Sequence, residues 1–339
     1  MNRSTPTAPT GTPEPGTRDD RAQGAVPSPG DVAFVQVAVA TVWVRPGLDR
    51  PGVDDPSLSA PVELDAWNSA MDEAETLRWL TGHLETQALL GARVIVDEID
   101  GRWARIVVTD QPSPRDARGY PGWVPLAHLV TDPGFEQAAA SSPTATVTAS
   151  RSRLSEDAEG TSPGIEVSFE TVLPVLGRTG TAVEVAVPGS GSQFLPEADV
   201  VVREVGESGP TPTVEDVIAT AERFLGLRYL WSGMSAWGYD CSGYTHMMYR
   251  HHGITLPRDA GPQMTDSGLR RVQREDLRRG DLVFFSEGPG SSEIRHVAFY
   301  LGEDRIMHAT NAPRVIAAET LSGYDVKGEY AGAVRVIEQ

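Results

Sequence analysis

The chain of 339 residues contains one cysteine, Cys241, within the segment GYDCSGYTHMMYRHHG. Apolar residues follow it at helical spacing up to Gly253, which predicts that Asp240 is an N-cap and Cys241 lies in the first turn. The free backbone N–H groups and dipole of a helix start favour a thiolate and can bind an oxyanion. These features predict a cysteine nucleophile. A buried structural cysteine is the alternative, and the neighbouring Asp240 opposes a thiolate unless a substrate amine or the backbone engages it.

A cysteine nucleophile needs a base, and two histidines occupy suitable strand-like segments. His296 begins HVAFYLG and His308 lies in RIMHAT, with the turn GED between them. If Leu301 pairs with Arg305 in this hairpin, the two histidines are diagonal neighbours on one face, whereas a one-residue shift separates them. The first register predicts that His296 is the base and that His308 orients it.

The remaining histidines suit that role less well: His83, His128, His246, His251 and His252. The first two lie outside the segment that carries the cysteine, and the others are expected to pack or face solvent. A metal site built from Cys241, His296 and His308 is possible by ligand type. A single cysteine excludes an intramolecular disulfide and a structural zinc site with two thiolates, so no metal or cofactor is predicted.

Charge and composition narrow the range of partners. The 29 basic and 47 acidic residues give a net charge of −18, which disfavours nucleic acid and anionic lipid. No run approaches the about 18 apolar residues of a membrane-spanning helix. The first 30 residues lack the apolar stretch of about 7 to 15 residues found in secretory signals, so they predict a disordered tail and a cytoplasmic protein. Secretion is the alternative location.

The pattern along the chain predicts three folded domains after the tail at 1–30. Short β-rich runs fill 31–135, where the segment SAMDEAETLRWLTGHLE predicts an inserted helix, and an Ala/Ser/Thr linker follows Asp132. More β-rich runs fill 140–208, which favours a second small β module. From 211 to 339 an initial helix and the Cys241 helix precede four strand-like runs, which predicts an α+β domain with an antiparallel sheet.

Five separated motifs in the last domain occur in a specific order: DCSG, PRDA, LRRGDLVFF, HVAFYLG and the HA at His308. Over 211–339 the chain thereby resembles the NlpC/P60 family of cell-wall peptidases. The resemblance implies a papain-like α+β fold with a triad of cysteine, histidine and a polar residue. Tyr229, in RYLWSG, matches a family tyrosine whose hydroxyl could assist the oxyanion.

The whole chain resembles a subgroup with N-terminal bacterial SH3-like domains, the γ-D-glutamyl-L-diamino acid endopeptidases. In that subgroup a glutamate and a tyrosine of the first SH3-like β-barrel close a pocket for the free amine of L-Ala-γ-D-Glu. The substrate-binding positions that the resemblance implies are Glu85, Tyr120, Asp240, Ser242, Asp259 and Ala260. Relatives often have serine at the Ala260 position, so one hydrogen bond to the substrate carboxylate is expected to be missing.

These observations predict a cysteine endopeptidase that hydrolyses the γ-D-glutamyl-L-diamino acid bond of short muropeptides with a free N-terminal L-Ala. The expected role is peptidoglycan recycling. One alternative is a secreted hydrolase of intact peptidoglycan that uses its SH3-like modules as wall anchors. Another is a non-catalytic protein that binds wall peptides. The preferred diamino acid and the oligomeric state stay open.

Overall fold

The structure is a computed structural model that describes residues 24–311 and 314–338. The predicted tail lies outside the described residues up to position 23. The last residues of the predicted tail, from position 24, are described, and they are folded onto the first β domain. Ala25 exchanges backbone hydrogen bonds of 2.9 and 2.8 Å with Thr131 of that domain. That domain therefore begins before residue 31, where its start was predicted.

The first β domain is a seven-stranded antiparallel sheet with the strand order β3-β2-β6-β5-β4-β1-β7. Alternate side chains such as Val94, Val96 and Ile106 point inward and are fully buried, which gives the small barrel its own core. Its elements are β1 Val32–Val35, β2 Val39–Trp43, α1 Asp55–Leu58, α2 Leu64–Ala70, α3 Ala74–Arg78, β3 Leu84–Leu89, β4 Arg93–Asp100, β5 Trp103–Val108, β6 Tyr120–Pro125 and β7 Leu129–Val130.

The insertion between β2 and β3 is three short helices, so the single helix predicted there is wrong. Gly82 adopts a left-handed φ of 77° just after the last helix, and the chain then enters β3. Glu85 consequently lies in a strand and not at a helix end. Apolar residues that produced the helical pattern, including Met71 and Leu80, are nevertheless fully buried.

The linker predicted after Asp132 is instead a helix, α4, which spans Pro133–Ser141. Asp132 caps it by accepting a hydrogen bond of 2.9 Å from the Phe135 backbone, and Pro133 occupies the first turn. The Phe135 ring packs edge-on against Phe34 of the first β domain at 4.8 Å. A short helix thus connects the two β domains and packs against the first of them.

The second β domain repeats the topology of the first, with the strand order β10-β9-β13-β12-β11-β8-β14 in a seven-stranded antiparallel sheet. Its strands are β8 Thr144–Val147, β9 Arg151–Ser155, β10 Pro163–Ser168, β11 Val172–Thr179, β12 Ala182–Val187, β13 Gly191–Pro196 and β14 Val200–Arg203.

The third domain has helices packed on a six-stranded antiparallel sheet with the order β17-β22-β18-β19-β20-β21. Its first helix begins at a capping box formed by Thr213 and Asp216, as the sequence predicts for Thr213. The elements are α5 Val214–Glu222, β15 Met234–Ser235, β16 Gly238–Tyr239, α6 Cys241–His251, α7 Ala260–Thr265, β17 Arg270–Val272, β18 Leu282–Ser286, β19 Ile294–Gly302, β20 Arg305–Ala309, β21 Ile316–Thr320, α8 Leu321–Tyr324 and β22 Tyr330–Arg335.

The first β domain is fastened to the segment that leads into α6. The buried Gln87 amide oxygen accepts hydrogen bonds from the Met234 backbone (3.0 Å) and the Ser235 hydroxyl (3.1 Å). Aromatic residues of all three domains, among them Trp67 and Phe169, share one apolar core with the third domain. Among the residues that the structure describes, no helix has the length and apolar character needed to cross a membrane.

Candidate active site

Cys241 is the first residue of α6, and the sequence prediction for this helix start agrees with the structure. Asp240 is the N-cap, and its carboxylate accepts a hydrogen bond of 2.6 Å from the Gly243 backbone. The Cys241 side chain is buried, and the backbone N–H groups of Ser242 and Val297 face its sulfur. Val297 belongs to β19, so the thiol lies against the strand that carries His296.

A fully buried arginine, Arg258, neutralises the N-cap aspartate. Its guanidinium donates to both carboxylate oxygens of Asp240, at 2.7 and 3.2 Å, and to the Ser242 hydroxyl at 3.0 Å. The predicted substrate contacts of Asp240 and Ser242 stay predictions, and both groups also hold Arg258 within the protein. Arg258 lies within the quoted motif PRDA, and the need of a buried carboxylate for a cation was the signal that could have identified it.

The surroundings of Cys241 favour the neutral thiol, whereas the helix start alone favours the thiolate. Burial, with a further contribution from Asp240, raises the pKa of Cys241 to about 12. The N–H groups of Val297 and Ser242 and the charge of Arg258 act in the opposite direction. Desolvation outweighs the helix start here, so a base must remove the proton during attack.

His296 and His308 lie on one face of the sheet and form the predicted contact. The distance between His296 Nε2 and His308 Nδ1 is 2.6 Å. Arg305 pairs with Gly302 and not with Leu301, but a bulge restores the predicted register further along the hairpin. Burial, together with His308 and Arg295, lowers the pKa of His296 well below its usual range. The imidazole is therefore neutral and can accept a proton.

Two residues that the sequence analysis did not identify complete this cluster. Glu319 of β21 accepts a hydrogen bond of 2.9 Å from His308 Nε2. The Tyr324 ring packs against the imidazoles of His296 and His308, with ring centroids 5.2 and 4.8 Å apart. Alternation along β21 could have placed Glu319 on the histidine face, but the strand itself was not predicted.

Tyr229 lies beside the thiol, at the position that the resemblance implies. Its backbone N–H donates to the Arg314 carbonyl at 2.9 Å, and it bridges to Tyr239 next to α6. Burial, with the neighbouring Cys241, raises the pKa of Tyr229 well above its usual value. The phenol is therefore protonated and able to donate a hydrogen bond.

Three of the predicted substrate-binding residues meet across the interface between the first β domain and the third domain. The Tyr120 hydroxyl donates to Asp259 at 2.9 Å. Arg115, which the sequence analysis did not single out, donates to both oxygens of Glu85, at 2.8 Å to one of them, and lies 3.4 Å from the Tyr120 hydroxyl. Burial raises the pKa of Asp259, against the effect of the nearby Arg258. Ala260 follows as the first residue of α7.

The other histidines are held elsewhere by hydrogen bonds. His83 contacts the Trp79 carbonyl (2.6 Å), His128 that of Ser59 (2.9 Å), His246 that of Leu256 (2.8 Å), His251 the Glu170 carboxylate (2.6 Å) and His252 the Thr220 hydroxyl (2.9 Å). Within residues 24–311 and 314–338, no group of three or more His, Cys, Asp or Glu side chains could hold a metal ion. The direct contact of His296 with His308 leaves no room for an ion between these two rings.

Comparison with known proteins gives the family. Residues 226–335 match the NlpC/P60 family, and residues 147–202 match the YKFC SH3b2 domain. The chain is 39% identical over 307 residues to a gamma-D-glutamyl-L-lysine dipeptidyl-peptidase of Bacillus cereus, covering 90% of this chain and 91% of the relative. A protein of the same name from Bacillus subtilis is 34% identical over 289 residues, which cover 84% and 92% of the two chains.

The solved structures agree with these matches. An NlpC/P60 family protein from Bacillus cereus superposes with a TM-score of 0.85 at 38% identity, covering 91% of this chain and all of the other. The fold is that of a cysteine peptidase with SH3-like β domains before a papain-like α+β domain, so the predicted fold class is confirmed. The chain belongs to the NlpC/P60 family.

Proposed function

We propose that this peptidase hydrolyses the γ-D-glutamyl-L-diamino acid bond of short muropeptides with a free N-terminal L-Ala. The relatives from Bacillus cereus and Bacillus subtilis are named gamma-D-glutamyl-L-lysine dipeptidyl-peptidases, which supports this bond as the target. The observation that carries the proposal is the cluster of Glu85, Tyr120 and Asp259, which two domains build together. A cluster rich in carboxylates suits a substrate ammonium, which needs acceptors and negative charge when it leaves water.

In the proposed reaction, the Cys241 sulfur attacks the γ-carbonyl carbon while His296 takes the thiol proton. The carbonyl oxygen becomes an oxyanion, which receives hydrogen bonds from N–H groups at the start of α6 and from the Tyr229 hydroxyl. His296 then gives its proton to the leaving nitrogen of the diamino acid, and the C–N bond breaks to leave a thioester. Water, deprotonated by His296, hydrolyses the thioester and releases L-Ala-γ-D-Glu. His308 orients His296 throughout.

The amine end of the substrate must displace an existing ion pair. Arg115 occupies the Glu85 carboxylate, and its own side chain is 45% exposed, so the guanidinium can move outward into solvent. The substrate ammonium then takes the place of the guanidinium beside Glu85 and Tyr120. An acylated amine carries no positive charge and cannot replace the guanidinium, so displacing Arg115 would leave Glu85 unpaired.

This requirement restricts the substrate to released peptides. In intact peptidoglycan the nitrogen of L-Ala is part of an amide bond to the glycan, so the ammonium is absent. We infer a role in recycling wall peptides, which favours a cytoplasmic location. A secreted hydrolase of intact peptidoglycan is the second candidate, and release of peptides from sacculi by the purified protein would favour it.

Hydrolysis of a matched pair of peptides tests the proposal. Purified protein is incubated with L-Ala-γ-D-Glu-L-Lys and with its N-acetylated form, and the products are identified by mass. We expect L-Ala-γ-D-Glu from the free peptide and no cleavage of the acetylated one. Equal cleavage of both would refute the amine pocket. The Cys241→Ala variant serves as a control and should cleave neither peptide, and a series in which L-Lys is replaced by other diamino acids defines the preference.

A further inference from the structure

We propose that Glu319 is a positioning residue that fixes the direction of the hydrogen bonds leading to His296, so that the basic nitrogen of His296 is Nδ1. The consequence for hydrolysis rests on the proposed function, in which His296 is the base. The direction of the hydrogen bonds is a property of the resting protein and can be measured without a substrate.

The position of Glu319 follows from strand pairing. In the antiparallel pair of β20 and β21, His308 is opposite Ala317 and Ile306 is opposite Glu319. Glu319 is therefore a diagonal neighbour of His308 on the same face of the sheet. The carboxylate lies 2.9 Å from His308 Nε2, with a side chain 35% exposed, while His308 is fully buried. Glu319 thus links the buried histidine pair to the surface.

The direction follows from the donor and acceptor properties of each group. An ionised carboxylate can only accept, so Nε2 of His308 carries a hydrogen. Burial lowers the pKa of His308 although Glu319 opposes this, so the ring is neutral and its Nδ1 has a lone pair. That lone pair, 2.6 Å from His296 Nε2, accepts the hydrogen of the neutral His296 ring. His296 Nδ1 is then left with a lone pair.

The opposite direction would disable the base. If His308 Nδ1 carried the hydrogen, it would donate to His296 Nε2, and the neutral His296 ring would carry its hydrogen on Nδ1. In that tautomer Nδ1 cannot accept the thiol proton. Glu319 disfavours it because the lone pair of His308 Nε2 would then face a carboxylate oxygen. The carboxylate also stabilises the imidazolium that forms when His296 accepts the proton.

Other charged and titratable groups act on the same pair. They are Arg295 beside His296, Arg314 near His308, Tyr324 packed against both rings, and the Cys241 thiol beside Tyr324. The two arginines disfavour protonation of the histidines, and Glu319 is the negatively charged group that contacts His308. Its removal should therefore shift both the tautomers and the acid limb of the pH profile.

The test measures tautomers and kinetics of the full chain with Glu319→Ala and Glu319→Gln. Imidazole ¹⁵N spectra of the histidine-labelled wild-type protein without substrate should show Nε2–H on both His296 and His308. In Glu319→Ala we expect both tautomers of His308, a roughly tenfold lower kcat and an unchanged KM, comparable with the loss of a carboxylate that supports a ligating histidine. The acid limb should move to lower pH. Glu319→Gln keeps an acceptor oxygen and should retain the tautomer with a smaller loss.

Glu338→Ala is the matched control. It removes the same charge from the same domain, but Glu338 is exposed and pairs with Arg270 at 2.5 Å, so tautomers and kcat should not change. Unchanged tautomers and an unchanged kcat in Glu319→Ala would overturn the inference. The spectra also report folding of each variant. If the original chain shows the expected tautomers but cleaves no γ-D-glutamyl peptide, the proposed function fails and the assignment of Glu319 survives.

Discussion

Burial favours the neutral forms of both Cys241 and His296, a thiol and an imidazole, over a preformed ion pair. Burial outweighs the helix start at the sulfur, and at His308 it outweighs the nearby carboxylate of Glu319. Proton transfer therefore accompanies attack on the substrate.

The neutral His296 imidazole predicts the pH at which activity declines on the acid side of the pH profile. His296 must be unprotonated to act as base, and its pKa is lowered from 6.5, so kcat/KM should stay constant as the pH falls to 6.5. It should decline only at lower pH, when the imidazole becomes protonated. Initial rates at low substrate concentration measure this directly. A decline that is already half complete at pH 6.5 or above would contradict the neutral pair.

The ion pair of Arg258 and Asp240 predicts a stability effect. Arg258→Met leaves a buried carboxylate without its cation, so the free energy of unfolding should fall by about 3–5 kcal/mol. Denaturant titration followed by tryptophan fluorescence measures the change. Arg270→Met is the matched control, because its pair with Glu338 is exposed and worth about 0–1 kcal/mol. Equal effects of the two substitutions would show that the burial of Arg258 does not matter.

At this scale the sequence identified candidates by their own type and position, namely Cys241, His296, His308 and Tyr229, and their catalytic roles stay predictions. It did not predict Arg258 or Glu319, because their roles depend on which charges become neighbours after folding. Asp240 was predicted to contact the substrate, and that assignment stays a prediction. Its partner within the protein, Arg258, follows it by 18 residues and reaches it only through the tertiary fold.

Among the elements, the loop between β5 and β6 connects the first β domain with the catalytic helix. The backbone N–H of Arg258 donates to the Pro112 carbonyl of this loop at 3.0 Å, and Arg258 Nε donates to the Thr86 hydroxyl of β3 at 2.9 Å. The loop also carries Arg115, which covers Glu85. One loop thus both docks on the third domain and occupies the proposed amine site.

Removal of Arg115 is predicted to improve substrate binding. In Arg115→Ala the ammonium no longer competes with a guanidinium for Glu85, so KM for the free peptide should fall roughly two- to fivefold, as expected for a partly exposed ion pair. The value of kcat should not change. Steady-state kinetics give both constants. Arg118→Ala is the control on the same loop, because Arg118 pairs with Asp97 and Asp116. A higher KM in Arg115→Ala would mean that Arg115 binds the substrate itself.

Some helices and strands could be predicted from local sequence patterns, and others could not. Helix α5 and the start of α6 were predicted because Thr213 and Asp240 are local capping signals. The insertion was misread as one helix, because its apolar residues face a core shared with the third domain and their spacing only partly reflects helical periodicity. Strand β21 was missed because its pattern, IAAET, is short and weakly apolar.

In the whole molecule, the first β domain and the third domain are joined by buried polar contacts and by a common core. Gln87 bonds to the chain before α6, and the Arg228 side chain donates to the carbonyls of Asn68 and Met71 at 2.7 and 3.0 Å. The second β domain joins through Glu170, whose carboxylate contacts His251 at 2.6 Å. The catalytic domain therefore depends on both β domains for part of its burial.

This sharing predicts cooperative unfolding. The first β domain and the third domain should unfold in one calorimetric transition, since separation exposes the shared core and leaves buried polar groups such as Gln87 unpaired. Differential scanning calorimetry of the full chain measures this. Gln87→Ala should lower the midpoint without dividing the transition. Two well-separated transitions in the original chain, assigned to these two domains by limited proteolysis, would contradict the shared core.

The most direct test of the proposed chemistry is the mass of the protein during turnover of L-Ala-γ-D-Glu-L-Lys. Rapid acid quenching followed by intact-protein mass spectrometry should show an adduct equal to L-Ala-γ-D-Glu less one water. Fragmentation should place it on Cys241 as a thioester, and N-acetylated peptide should give none. Peptide cleavage with no adduct on Cys241, or with the acyl group on another residue, would contradict the nucleophile assignment.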